Sequence, residues 1–190
     1  MAISEARREG EAAQARRSPL RRSRLLVMAT IALTAIVGLA LPVAAGSAQF
    51  VWNVTPSAPA GLYIIDHRSW RIGDRVAVLP SKALAKELDD RGVLSGGKLL
   101  IKRVVAAAGD TVCRKGGTVM LNGRPVATAR SADSRGRALP IWTGCVTLTT
   151  SDVFLLGDTA GSYDGRYFGK ITAQDVLGRA NEILPFELPF

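Results

Sequence analysis

The chain has 190 residues, with 25 Lys and Arg against 16 Asp and Glu, a net charge of +9 at pH 7, two Cys and a single His. That length suits one domain with a core plus an appendage; one His and two Cys are too few for a four-ligand zinc site, and no other metal site or cofactor is implied. Beyond the first residues the positive charge is scattered, with no aromatic-basic platform, which argues against nucleic-acid binding and for solvated charge and attraction to membrane.

Residues 1–24 form a basic tail: Arg7, Arg8, Arg16, Arg17, Arg21, Arg22 and Arg24 face only Glu5, Glu9 and Glu11. Residues 25–45 then carry no charge. About 20 apolar residues at ~1.5 Å rise span a ~30 Å hydrocarbon layer, so this run predicts a single transmembrane helix. Small residues at 44–48 would suit cleavage of a signal peptide, but a signal core is usually ~7–15 residues and this run is longer, so a retained anchor is expected. The positive-inside rule keeps the tail in the cytoplasm, beside anionic headgroups, and sends the remainder across a bacterial inner membrane into the periplasm.

Residues 46–56 read as a connector, with Phe50, Val51 and Trp52 as candidates for the lipid interface. Residues 57–190 then read as one mainly β domain. Strands are predicted at Arg75–Leu79, Leu99–Val105, Thr118–Leu121, Val146–Leu148 and Val153–Leu156 from β-branched content and turn boundaries. Asn122-Gly123 predicts a type I′ hairpin into Pro125–Ala127, because both central positions of that turn need positive φ. One short helix is expected, capped by Ser81, with Leu84 and Leu88 on one face and an end near Arg91-Gly92. Ser131–Pro140 reads as a polar loop. Cys113 and Cys145 are expected to pair if the domain is periplasmic; two buried free thiols are the alternative.

Three segments carry possible chemistry. Ser57 sits between Pro56 and Pro59 and close to Gly61, a stretch able to hold a side chain rigid and exposed; a turn serine is the plainer reading. Lys102 interrupts an apolar strand. Alternation sets it with Leu100 and Val104 on a buried face, where lost hydration lowers its pKa and makes it a base for Ser57. With the faces exchanged, Arg103 would point inward, and a guanidinium is no base at usable pH. The third segment, Gly157–Gly169, is glycine-rich but lacks the Lys-Ser/Thr ending of a phosphate loop. In it Asp164 and Arg166 are spaced to pair, and Ser162 could bond an amine.

Together the stretches Ser57-Ala-Pro-Ala-Gly-Leu-Tyr63, Leu100-Ile-Lys-Arg-Val-Val105 with Gly109-Asp110, and Gly157-Asp158 through Gly169 resemble the Ser-Lys signal peptidase family. Within it they are most similar to the TraF-type pilin-processing peptidases of conjugal transfer. General signal peptidases carry Ser-Met-x-Pro at the first stretch, and Asn and Ser where this chain has Thr159 and Gly165. The resemblance implies a signal-peptidase-like β catalytic domain and a serine endopeptidase with Ser57 as nucleophile and Lys102 as general base. It further implies Thr55 as an oxyanion donor beside the Ser57 N–H, Ser162 orienting the lysine amine, and Asp158, Asp164 and Arg166 as support. The implied partner is a precursor protein, pilin or another exported subunit, with small residues at the cut, which is hydrolysed or cyclised. A non-catalytic scaffold of a secretion apparatus and a general signal peptidase are the alternatives.

Overall fold

A computed structural model describes residues 23–38, 49–94 and 99–186. The chain divides into two compact units, residues 1–47 and 48–190. In the first unit, residues 23–38 form helix α1. Its Thr30 hydroxyl donates to the carbonyls of Leu26 and Val27, and Thr34 to those of Thr30 and Ile31, so both polar groups are satisfied within the helix. The basic tail up to residue 22 and the second part of the expected span, residues 39–45, lie outside the described residues. Among the described residues no helix is long and apolar enough to cross a membrane.

The second unit is built of antiparallel strands in two sheets. The larger has seven strands in the order β1-β2-β11-β3-β4-β9-β10: β1 (Gln49–Asn53), β2 (Gly61–Asp66), β3 (Arg75–Val78), β4 (Leu100–Ala106), β9 (Asp152–Leu156), β10 (Ile171–Thr172) and β11 (Val176–Pro185). The smaller, in the order β7-β6-β5-β8, holds β5 (Thr111–Lys115), β6 (Thr118–Leu121), β7 (Arg124–Thr128) and β8 (Gly144–Thr147). The expected helix is α2 (Lys82–Asp90), with Ser81 Oγ accepting from the Leu84 N–H. Leu84 and Leu88 pack on one core cluster with Val76, Val78, Leu100, Val104 and Leu155. Asn122 at φ 50° and Gly123 at φ 80° make the tight turn between β6 and β7.

The connector is corrected by the structure. Gln49–Asn53 is an edge strand in full register with β2, so the compact unit begins at residue 48 rather than 57. Its alternation explains why: Phe50 and Trp52 point outward at 39% and 55% exposure, while Val51 turns in towards Tyr63, Ile65 and Ile101. The structure adds β2, β5, β10 and β11 to the expected strands; the residues of β2, β5 and β11 show no clean apolar–polar alternation, and β10 is only two residues long. Gly178, Arg179 and Glu182 break the pattern of β11, which is bulged against both neighbours. Within the glycine-rich segment Gly157–Gly169, Gly165–Phe168 makes one helical turn, α3, capped by Asp164. Between the sheets, Val112, Val119 and Leu148 pack on Ala106, Phe154 and Leu156.

Cys113 and Cys145 stand directly opposite each other on β5 and β8 and form a disulfide across a sequence separation of 32. Closing a loop of that size removes conformational freedom from the unfolded chain. Reduction, or a Cys113→Ser/Cys145→Ser double substitution, is expected to cost about 4 kcal/mol. Comparing chemical denaturation midpoints with and without reductant checks it.

Candidate active site

Ser57 lies in the β1–β2 connection, residues 54–60, and Asn53 builds that connection. The Asn53 amide group donates to the carbonyls of Thr55, Ala58 and Pro59 at 2.9 to 3.1 Å, while its Oδ1 accepts from the Thr55 N–H and from Thr55 Oγ1 at 2.8 Å. The Tyr63 hydroxyl donates to the Pro59 carbonyl. At Gly61 the backbone runs so close to β11 that a Cβ would sit 2.6 Å from the Leu184 carbonyl oxygen. Ser57 is accordingly held rigid but not exposed; only 8% of it meets solvent. Sequence reasoning missed Asn53, whose sole signal was its place two residues before Thr55-Pro56.

The Thr55 and Ser57 hydroxyls are 2.9 Å apart. Because Thr55 gives its single proton to an acceptor, Asn53 Oδ1, the Ser57 hydroxyl is the donor between the two. Ser57 Oγ also lies 3.5 Å from the Ile101 carbonyl of β4. The next residue on that strand is Lys102, 2% exposed, and Arg103 turns to the surface, as the alternation predicts. The Lys102 ammonium donates to Ser162 Oγ at 2.6 Å. Burial pushes its pKa down from 10.5 to about 8; the Asp164 carboxylate opposes this and the Arg166 guanidinium adds to it.

Ser162 is held by the segment leaving β9. Asp164, fully buried, accepts from the Gly157 N–H at 2.7 Å and the Arg166 N–H at 3.0 Å. Its burial lifts its pKa above the usual carboxylate range, against the pull of those donors and of Arg166. Arg166 lies 3.6 Å from Asp164 and donates to the carbonyls of Thr159 and Ala160. Arg114, unread in the sequence, in turn donates to the Arg166 carbonyl. Gly157 has no room for a side chain, since a Cβ there would collide with Ser162. Asp158 is engaged by two arginines: Arg75 and Arg103, opposite each other on β3 and β4, both pair with it at 2.8 to 2.9 Å, relieving a like-charge contact. Partial burial raises the Asp158 pKa, and the two arginines overcome this and hold it low. The Asp158 N–H donates to the Ser57 carbonyl, tying the two segments together.

Thr55, Ser57, Lys102 and Ser162 line one cleft of about 250 Å³ with Val93, Leu94, Leu99 and Tyr163. No hydrogen bond joins Ser57 to Lys102 in this state; the amine is engaged by Ser162 and the hydroxyl by Thr55. A hydroxyl and a depressed amine in one cleft are the elements of nucleophilic catalysis without histidine. His67 is exposed and bonds the Leu177 carbonyl. Among the described residues no group of His, Cys, Asp and Glu could hold a metal ion.

The signal peptidase model, peptidase S26, matches residues 22–185 of this chain. A probable conjugal transfer protein TraF of Sinorhizobium fredii (strain NBRC 101917 / NGR234) is 36% identical over 173 residues, covering 85% of this chain and 89% of the relative. A conjugal transfer protein TraF of Agrobacterium fabrum (strain C58 / ATCC 33970) is 36% identical over 146 residues, 71% of this chain and 82% of its own. A plasmid transfer protein TraF of Escherichia coli is 33% identical over 136 residues, 66% and 77% respectively.

Burying an amine whose pKa falls from 10.5 to about 8 weakens the fold. Above the unfolded value the amine is neutral in both states and costs nothing. Below the folded value the unfolded chain binds the proton more tightly, and the full penalty, about 3 kcal/mol, applies. Lys102→Met removes it, offset by about 1 kcal/mol for the partner lost at Ser162. The variant is expected to be more stable than wild type by about 2 kcal/mol at pH 7, an advantage that shrinks as pH rises from 8 towards 10.5. Thermal unfolding of both proteins across that range measures it.

Proposed function

The chain belongs to the signal peptidase family, peptidase S26, and we propose that it is a membrane-anchored serine endopeptidase working through Ser57 and Lys102. One observation carries the reading: Lys102 is buried in the same cleft as Ser57, with Ser162 as its hydrogen-bond partner and its pKa brought down to about 8. A buried lysine without a paired carboxylate weakens the fold, and such a cost is typical of a functional site.

In the proposed reaction a precursor peptide enters the cleft and Ser57 Oγ turns from Thr55 to neutral Lys102. The oxygen attacks the scissile carbonyl as its proton passes to Lys102 Nζ, and a tetrahedral oxyanion forms. The Ser57 N–H donates to that oxyanion. Thr55 Oγ1 is the second donor, and to serve it rotates its proton away from Asn53 Oδ1. Ser162 keeps the amine aimed throughout. Collapse breaks the C–N bond, the leaving amine takes the proton from Lys102, and an acyl ester remains on Ser57. Water, or the precursor's own amino terminus, then attacks the ester; Lys102 accepts the attacking group's proton and returns one to Ser57 Oγ. The first route yields a linear acid and the second a cyclic amide.

The TraF names of the relatives support conjugative pilin, or another exported subunit, as substrate, and small residues at the cut suit a cleft of this size. The family and the disulfide support a catalytic domain outside the cytoplasm, in the periplasm. Residues 25–45 would anchor it, with the basic tail inside. Exposed Phe50 and Trp52, the latter stacked on Phe186 at 4.9 Å, would rest at the lipid interface.

Purified, detergent-solubilised protein should shorten a pilin precursor, and Ser57→Ala and Lys102→Ala should each abolish this, as read by intact mass. A product lighter by one further water identifies cyclisation. Cleavage surviving in either variant overturns the dyad, and rescue of a strain depleted of its general signal peptidase would replace a dedicated substrate with many. With chemistry rate-limiting, activity is expected to rise about tenfold per pH unit below 8 and to level off above it, as Lys102 loses its proton. A profile flat from pH 6 to 9 would rule out lysine as the base.

A further inference from the structure

The polar loop 131–140 carries a second pocket that the proposed reaction does not use. It encloses about 330 Å³ and shares Gly92, Val93, Gly161 and Tyr163 with the Ser57–Lys102 cleft. Four arginines, Arg91, Arg130, Arg135 and Arg137, line it against one carboxylate, Asp133. Two of the four are committed. Arg137 pairs with Asp133 at 2.8 Å and donates to the carbonyls of Asp90 and Arg91. Arg91 donates to Glu87 and lies 5.4 Å over the Tyr163 ring. Among the described residues, the guanidinium groups of Arg130 and Arg135 have no hydrogen bond or ion pair, and both residues are exposed.

The loop is organised in advance. Asp133 accepts from the N–H groups of Arg135 and Arg137, and Ala132 bridges Ala138. Arg130 is fixed at its backbone by the Tyr167 hydroxyl, whose ring stacks on Tyr163 at 5.2 Å. A concave site with surplus positive charge and two uncommitted planar forks matches a carboxylate, which guanidinium binds in bidentate fashion.

We propose that this pocket binds a carboxylate of the peptide held in the adjoining cleft, so that the enzyme prefers substrates with an acidic group a few residues from the cut. The proposal rests on the cleft being the peptide site. The carboxylate is either an Asp or Glu side chain or the free C-terminus of a short segment. A charge-assisted contact of this kind corresponds to about tenfold to a hundredfold in affinity.

The test uses the full-length Ser57→Ala protein in non-ionic detergent and fluorescent peptides with Ala-Leu-Ala at the centre, read by anisotropy. The peptides carry Asp or Asn at successive positions on either side, each as C-terminal acid and amide. Expected is at least tenfold tighter binding of an acidic peptide than of its neutral twin, lost when Arg130→Gln and Arg135→Gln are added, with neutral peptides bound as before. An advantage confined to one Asp position identifies a side-chain carboxylate; one following acid over amide identifies a C-terminus. Thermal unfolding of the triple variant should match that of Ser57→Ala, because neither guanidinium has a partner to lose among the described residues and both backbone bonds are kept. Equal binding of acidic and neutral peptides, or an advantage that survives both substitutions, overturns the proposal. So does a loss seen only in binding to phosphatidylglycerol vesicles, which would assign the arginines to lipid. Failure of the Ser57–Lys102 reading would show instead as cleavage persisting in Ser57→Ala.

Discussion

The ammonium of Lys102 is buried in the sheet with a serine hydroxyl, rather than a carboxylate, as its hydrogen-bond partner. A hydrogen-bonded carboxylate would stabilise the charge, whereas a hydroxyl satisfies the amine and leaves burial as the largest influence on its affinity for protons, over the opposing Asp164. The surroundings of Ser162 hold that hydroxyl in place. Gly157 has no side chain because the serine fills the space, Asp164 fixes the backbone on either side, and Arg166 gathers the carbonyls of the intervening turn. The carboxylates of this segment have other work: Asp164 is engaged by backbone donors and Arg166, and Asp158 by two arginines on neighbouring strands.

The Ser57 side of the cleft is ordered by different means. There a single amide, Asn53, does what a network of backbone bonds would do in a regular turn, binding three carbonyls and the Thr55 hydroxyl at once. The bond from Asp158 N–H to the Ser57 carbonyl makes the two segments one unit. In the resting state the Ser57 proton is directed to Thr55. The Ser57 hydroxyl and the Lys102 amine therefore share one cleft while each is held by another partner.

Much of this could be read from residue order because the relevant signals are local. Ser81 as a cap, Asn122-Gly123 as a turn and the burial of Lys102 with Leu100 and Val104 each depend on a few neighbouring positions. The inward and outward sides of β4 were legible for the same reason. Asn53, Arg75 and Arg114 were not, because each acts on residues far away in the chain or through backbone atoms that carry no sequence signal. β1 was misplaced because its outward aromatics suit a lipid interface and an edge strand equally well. β11 was hidden by Gly178, Arg179 and Glu182, which a strand tolerates only because bulges and neighbours on both sides accommodate them.

The position of β11 has a consequence for the order of events in the cell. It lies between β2 and β3, hydrogen-bonded to both, although it follows them by roughly a hundred residues of chain. Until residues 176–185 are available, no strand ladder links β1 and β2 to β3 and to β4, the strand bearing Lys102. Such non-local closure makes folding slow compared with local pairing. The serine and the lysine are made early, and the sheet that joins their strands closes only when β11 is added. In the proposed enzyme, activity would then await the last long strand, and a chain halted before residue 176 would be inert.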